Sequence, residues 1–492
     1  PDLFARAQSK FVIMSDLKNE KTTTVVEQVE DLTEMKNEAK ADYSGAREKT
    51  DPKEIALVKK LDKWIMPMLW SMYWLNYLDR NAIALARLNR LEEELNLTGS
   101  QYQTCVSILF VGYLCGQLPS NMFLNRTRPS RYMGCAMMLW AVVSALTAVV
   151  HDFKGLVLVR FFLGLTEAPY YPGAVYILSI FYTRKEIATR IAILYTGNVL
   201  ATAFAGLIAA GVFHGMDRLH GLSGWQWLFI LQGVVTFGVA VVGYFVLPDF
   251  PHDTKWLTPE ERLLATQRMV EDTAGGEEAA GVFEGLKQAG MDPCVWMFAF
   301  MAHMHLAANG FKNFFPTVVE TLGYNQTITL VLTCPPYLIA GFFTIGVSWL
   351  SGKLNERTWH ITVSKSVAIV GFVLGAVSTN LGVKYFSMIV FCIGTYAVNS
   401  LILGWVGSTC GQSKEKKAAA IGIVSTVMNA SFVWTPYLWN KADAPQYQPA
   451  MFSSAAFSAA TAITAWAVKI VMMRRNKKLQ ESGGENLAYF VY

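Results

Sequence analysis

Four ionisable side chains sit inside long apolar runs: Asp79 and Arg80, and farther along Arg160 and Glu167. A charge within a hydrocarbon layer costs several kcal/mol on most scales, so such a residue usually has a partner or a task. Asp79 and Arg80 are adjacent, and neighbours on a helix point about 100° apart, so each faces something different. Arg160 and Glu167 stand seven residues apart, which is about two turns and roughly 10 Å along one helix face. A facing residue, Asp79 or Arg80, fits between them, which places two carboxylates and two guanidiniums in one cavity. The chemistry open to that set is exchange of anions and protons. An arginine offers a permanent, two-pronged partner to a carboxylate. A carboxylate in a poorly hydrated cavity takes up a proton readily, and once neutral it frees a neighbouring arginine for another anion.

The elements that position these groups are membrane-crossing helices. Of the 492 residues, 53% are hydrophobic and only 16% charged, where soluble domains average about 25% charged. Apolar runs of about 20 residues, enough to cross a hydrocarbon core of about 30 Å, fall at 63–83, 101–124, 132–150, 155–182, 187–213 and 225–247, then at 294–317, 327–350, 361–381, 385–409, 418–439 and 450–473. Lipid cannot satisfy backbone polar groups, so each run is expected to be a helix. The reading is an all-α membrane protein of twelve transmembrane helices in two sets of six, 61–247 and 292–473. A disordered tail at 1–60, poor in aromatics, a central loop at 248–291 and a tail at 474–492 complete it. Within the loop, Thr258 followed by Pro259 and Glu261 reads as a helix start. A short amphipathic helix on the membrane surface is expected from there to about Met269, with a Gly- and Glu-rich linker at 273–278.

Basic residues set the orientation. Arg126, Arg128 and Arg131 follow the second span, Arg184, Lys185 and Arg190 the fourth, Lys414, Lys416 and Lys417 the tenth, and Arg474 and Arg475 the twelfth. All fall on one side, which makes both termini and the central loop cytosolic. Arg87 and Arg90, beside Glu92, Glu93 and Glu94 on the other side, are a weak exception. Asn96 and Asn325 head glycosylation sequons on that outer side. The seven cysteines lie in or beside apolar runs and read as small buried residues. His303 and His305, two apart, point to opposite helix faces, unlike the four-apart pair of a helical metal site. No metal, cofactor or catalytic constellation is expected, and so no enzyme.

Six spans, a gap and six more is the plan of the major facilitator superfamily. An ordered series of motifs carries the likeness further: Leu61-Asp62, Asn76-Tyr77-Leu78-Asp79-Arg80, Gly112-Tyr113 with Pro119-Ser120-Asn121, Arg160-Phe161-Phe162-Leu163-Gly164-Leu165 with Glu167-Ala168 and Pro172-Gly173, Gly224-Trp225-Gln226-Trp227 and Leu247-Pro248-Asp249-Phe250-Pro251. Over about residues 55–480 the chain resembles the anion:cation symporter family, specifically its fungal allantoate-permease-like branch. The resemblance implies two six-helix bundles that rock about a midplane site. It implies proton-coupled uptake of a small organic anion, a carboxylate metabolite or vitamin, across the plasma membrane. Partners would be that anion, protons and the lipid bilayer, with no nucleic acid, and the carrier would be a monomer.

The resemblance also assigns roles. Arg80 matches the arginine that binds the substrate carboxylate, Asp79 and Glu167 match proton-carrying acids, and Arg160 matches the arginine of span four. Asn429 matches a substrate-contacting asparagine of span eleven; the alternative is an interhelical hydrogen bond worth about 1 kcal/mol. Asn198, Asn399 and His303 are further intramembrane polar residues that suit a substrate path. Lys312 either lines that path or snorkels to the outer interface, the favoured reading. The chain departs from the superfamily in the loop after span two, where Asn121 and Asn125 replace the usual Gly and Asp. Asn125, Arg126 and Arg131 are then the gate, through amide hydrogen bonds or pairing with acids at span ends. Gly164, Gly173, Gly197, Gly206 and Gly211 should let helices approach closely. An exporter of secondary metabolites is the alternative, although span five lacks the Gly-Pro pair usual in drug antiporters. The motif after span six is not that of sugar porters. A non-transporting nutrient receptor is a more distant alternative.

Overall fold

The structure is a computed structural model that describes residues 51–124, 127–273, 282–354, 356–410 and 414–481. The first half runs through α1 (Pro52–Arg87), α2 (Gln101–Leu124), α3 (Pro129–Leu146), α4 (Phe153–Glu167), α5 (Tyr170–Phe181), α6 (Arg184–Met216) and α7 (Gly224–Val246). Two connecting helices follow, α8 (Pro259–Thr273) and α9 (Val282–Met291). The second half comprises α10 (Pro293–Ala308), α11 (Phe315–Glu320), α12 (Gln326–Leu332), α13 (Cys334–Leu354), α14 (Thr358–Val377), α15 (Leu381–Tyr396), α16 (Val398–Thr409), α17 (Lys414–Asn429), α18 (Ser431–Trp434) and α19 (Gln448–Glu481). Taking the pairs α4–α5, α10–α11, α12–α13, α15–α16 and α17–α18 each as one rod interrupted along its length, the helices of the described residues are consistent with twelve crossings in two sets of six. Pro169 and Pro335 stand at two of these breaks, where a missing N–H ends the hydrogen-bond ladder.

Helix starts follow their capping residues. Asp51 accepts from Lys53 N ahead of α1, Asp152 from Gly155 N at α4, and Asp292 from Cys294 N at α10. Capping boxes open α6 with Thr183 and Glu186, and α7 with Ser223 and Gln226. Glycines let crossings touch. A Cβ on Gly164 would stand 1.9 Å from the Leu109 carbonyl oxygen, and one on Gly112 2.1 Å from that of Phe161, so α2 and α4 meet backbone to backbone. Gly211, expected in such a contact, faces open space. The outer surface is apolar, with Phe245, Phe342, Trp349 and Ile463 all more than 60% exposed. Soluble monomers rarely show apolar patches beyond a few hundred Å², and among the described residues eight helices are long and apolar enough to span a bilayer by length and composition.

Some expectations shift. The helix begins at Pro52, so the last residues of the expected tail, 51–60, belong to α1 or its cap; residues 1–50, and 482–492 of the other tail, lie outside the described residues. Helix α8 packs on protein: its Arg268 pairs with Glu186 at 2.7 Å and Glu54 at 3.5 Å, and Lys60 reaches Glu261 at 2.7 Å. Its Thr258–Glu261 cap forms as the sequence predicts. All but one residue of the Gly- and Glu-rich linker at 273–278 lies outside the described residues. Of the seven free cysteines, Cys115 and Cys135 are exposed on outer helix faces rather than buried.

The molecule has two ends. At the end carrying α8, α9 and the described termini, ion pairs tie each bundle to itself: Arg190–Asp62 at 2.6 Å in the first, and Lys416–Asp292 at 2.8 Å and Arg475–Asp292 at 3.2 Å in the second. At the far end the bundles meet. Gln103 donates to the Trp439 carbonyl at 3.1 Å, Gln326 to that of Leu88 at 2.6 Å, and Lys441 pairs with Glu92 at 3.2 Å. A Cβ on Gly206 of α6 would lie 2.2 Å from Thr333 Oγ1 of the other bundle.

Candidate functional site

Helix α1 delivers Asp79 and Arg80 in different directions, as adjacent helical positions require. Arg80 Nε donates to Glu167 Oε2 at 2.6 Å. Its guanidinium carbon also lies 4.6 Å from the Tyr113 ring centre and 5.5 Å from that of Tyr77, a placement worth about 0.5–2 kcal/mol per ring. Glu167 is the last residue of α4, just before the break at Pro169, and is sealed from solvent. Arg80 keeps 15% of its side chain open. Asp79 turns the other way, into the first bundle, where it accepts from Trp140 Nε1 at 2.8 Å and Thr236 Oγ1 at 3.5 Å. Arg160 is buried, and its Nε and Nη1 find no hydrogen-bond partner among the described residues. The four expected charges do lie together, with Glu167 within electrostatic reach of Arg80, Arg160 and Asp79, but among the described residues only Arg80 and Glu167 of the four form an ion pair.

The other expected residues spread over both bundles. Asn399 of α16 donates to the Tyr195 hydroxyl of α6 at 3.3 Å, a bond that crosses between bundles. Asn198 is buried on α6, where Thr202 Oγ1 lies 2.9 Å from its carbonyl and 3.4 Å from its Oδ1; Asn81 of α1 donates to the same hydroxyl at 3.3 Å. Asn429 donates to the Ser425 carbonyl of its own helix at 2.7 Å, a bond within the helix rather than the interhelical one weighed for it. His303 meets the Val427 carbonyl at 2.7 Å and Trp434 Nε1 at 3.2 Å within the second bundle. Of the gate residues, Asn125 and Arg126 lie outside the described residues, and Arg131 is exposed on the first turn of α3. Its neighbour Arg128 approaches Asp249 at 3.7 Å and Asp253 at 3.4 Å. Asn96 and Asn325 are both exposed at the far end, and Asn325 caps α12 through Ile328 N at 2.8 Å.

Three basic residues of the second bundle extend the set. Lys312 turns inward rather than snorkelling: its Nζ sits 4.2 Å above the Phe432 ring, within electrostatic reach of Arg80. His305 is buried with neither ring nitrogen hydrogen-bonded among the described residues, and it feels both Lys312 and Lys365. Lys365, which the span-by-span reading passes over, is fully buried mid-helix with Nζ unpartnered among the described residues. A signal for it existed: Ile361, Ala368 and Phe372 share its helix face and are equally buried. The arginines at the far end also find their acids, Arg87 at 2.9 Å from Glu92 and Arg90 at 2.7 Å from Asp217, which accounts for their place on that side.

Comparison with known proteins converges on one group. Residues 69–436 match the sequence model of the Major Facilitator Superfamily. The chain is 29% identical over 447 residues to the major facilitator-type transporter hxnP of Emericella nidulans, covering 88% of this chain and 89% of that one. It is 31% identical over 454 residues to the MFS transporter prlL of a fungal species, covering 89% and 90%. Among solved structures it resembles a bacterial homologue of the human lysosomal transporter Spinster in an inward-facing and occupied conformation, with TM-score 0.67, 14% identity and coverage of 87% of this chain and 99% of that one. The xylose transporter XylE from E. coli, in a partially occluded inward-open conformation, follows with TM-score 0.62, 14% identity and coverage of 82% and 98%.

Proposed function

This chain belongs to the major facilitator superfamily of multi-pass membrane transporters, and on that premise we propose that it carries a small organic anion inward together with protons. The observation that carries the reading is the Arg80–Glu167 pair at 2.6 Å beside the opposite bundle. With Glu167 ionised, the arginine is occupied. A proton on Glu167 removes the competing charge and leaves Arg80 to take a carboxylate in two-pronged fashion. Release of the proton restores the internal pair and expels the anion, so both ions move on one electrostatic exchange. Asp79, held by Trp140, is the second acid. Arg160, Asn198, Asn399, Asn429 and His303 contribute to the polar interior in which the anion is held.

The motif series supports a reading of the chain as a member of the allantoate-permease-like branch of the anion:cation symporters. The same reading puts it in the plasma membrane as a monomer, with both termini and the 248–291 connection in the cytosol. Asn96 and Asn325 are then extracellular glycosylation sites. In that orientation the far-end contacts close the outer entrance, which makes this an inward-facing state of an alternating-access cycle. The test is uptake by yeast lacking its own permeases, across allantoate, ureidosuccinate, nicotinate, pantothenate, biotin and short peptides. A protonophore should abolish accumulation. Arg80→Ala should cut uptake by about 10- to 100-fold, the worth of a charged hydrogen bond. Uptake indifferent to the protonophore removes the coupling, and normal transport by Arg80→Ala removes the assigned role.

A further inference from the structure

Lys312 lies on the 3-10 turn Asn309–Asn313 that interrupts the crossing between α10 and α11. It is half-buried over the Phe432 ring, and among the described residues no carboxylate stands within ion-pair distance of it. Stacking on a ring attracts the ammonium but supplies no counter-charge. Phe432 in turn touches Phe110 of the other bundle, with ring centres 4.7 Å apart. Three residues farther along α2, Tyr113 carries Arg80. Residues three apart share one helix face, separated by about 4.5 Å of rise. Lys312 and Arg80 thus come from opposite bundles to neighbouring places along one face of α2, within electrostatic reach of each other. Both keep part of their surface open, whereas Arg160 and Lys365 are sealed.

The charges at this place do not balance. Glu167 offsets Arg80, and among the described residues no carboxylate pairs with Lys312. Once Glu167 takes its proton, two cations face the same space, and a monoanion answers one of them. We propose that Lys312 is a second substrate anchor and that the cargo is an organic anion with two anionic groups, one held by Arg80 and the other by Lys312, against the Phe110–Phe432 pair. The proposal rests on the anion-transport reading above and narrows its substrate class. A cargo gripped from both bundles also links occupancy to their relative motion.

The experiment is ligand titration of the purified full chain in lipid nanodiscs, read by thermal shift, with two scaffold-matched pairs: succinate against butyrate, and phthalate against benzoate. In the wild type the diacid of each pair should half-saturate at a concentration at least tenfold lower than the monoacid. Lys312→Gln should bring the two within twofold, with the loss of affinity falling mainly on the diacid, and Lys312→Arg should keep the preference. A wild type that binds both members equally, or neither, overturns the proposal, as does Lys312→Gln with the preference intact. Should Lys312→Gln fail to fold, the wild-type ratio together with Lys312→Arg decides. Arg80→Ala, titrated alongside, separates the two claims. Loss of binding there with Lys312→Gln unchanged leaves the anion reading standing without its second anchor, and unchanged binding in Arg80→Ala counts against the anion reading itself.

Discussion

In the first bundle Asp79 accepts the Trp140 indole N–H and Arg80 grips Glu167, whereas in the second His305 and Lys365, equally buried, have no hydrogen-bond partner among the described residues. Asp79, Arg80, Arg160 and Glu167 sum to zero formal charge when all are ionised, while the interior of the second bundle holds bases. A buried charge with a partner is compensated whether or not a ligand is present; one without a partner keeps its desolvation cost at all times. The first half therefore holds an internal ion pair, whereas the second holds buried bases without hydrogen-bond partners among the described residues, and the two meet at Arg80 and Lys312.

The contrast can be broken by mutation. The largest effect is expected from Glu167→Ala, which strands the Arg80 guanidinium and should cost about 3–5 kcal/mol, visible as a lower melting temperature and lost uptake. Glu167→Gln should fold and bind but no longer follow the proton gradient. Asp79→Ala should cost about 1–3 kcal/mol by orphaning the Trp140 N–H, while Asp79→Asn, which keeps an acceptor oxygen, should be milder. Coupling lost as completely in Asp79→Asn as in Glu167→Gln would erase the distinction between an exchanging and a fixed acid. Lys365→Met should change stability in the opposite direction, adding on the order of 1 kcal/mol and raising the melting temperature, because a desolvated amine without a hydrogen-bond partner among the described residues is removed. A drop instead would show that the lysine is compensated after all.

The smallest effect concerns the surface end of the second bundle. Burial there pushes the Asp292 carboxyl up, but Lys416, the Cys294 N–H and Arg475 outweigh it and hold the group below the usual carboxylate range. A depressed folded value means the tether's contribution is present above the unfolded carboxylate range near pH 4 and is lost as pH falls through the folded value. Thermal melts should not change on this account between pH 7 and 5, and Asp292→Asn should cost about 1 kcal/mol at pH 7 and flatten the decline on further acidification.

The crossings were legible because an apolar run of about 20 residues has few other uses. Breaks within them were not, since hydropathy averages across an interruption such as Asn309–Asn313. The partner of Glu167 was readable only as a choice between Asp79 and Arg80, because the rotation of α1 against α4 is set by tertiary packing rather than by spacing along either helix. Averaging over a span passes over Lys365, because one lysine hardly lowers the mean; only its shared helix face with Ile361, Ala368 and Phe372 marks it. The inward turn of Lys312 depends on the ring of Phe432, 120 residues away in sequence, and no local pattern reports it.

The connection between the halves has a practical consequence. Helix α8 is bonded to the first bundle through Arg268 and Glu261, and α9 packs along α17 in the second. Each helix already belongs to the half it follows or precedes. A protease site inserted between them should therefore yield, after cleavage, two fragments that each retain their own end cap and co-purify through the far-end contacts. Expressed from separate genes, the fragments become a two-piece carrier in which each half can be mutated or labelled without touching the other.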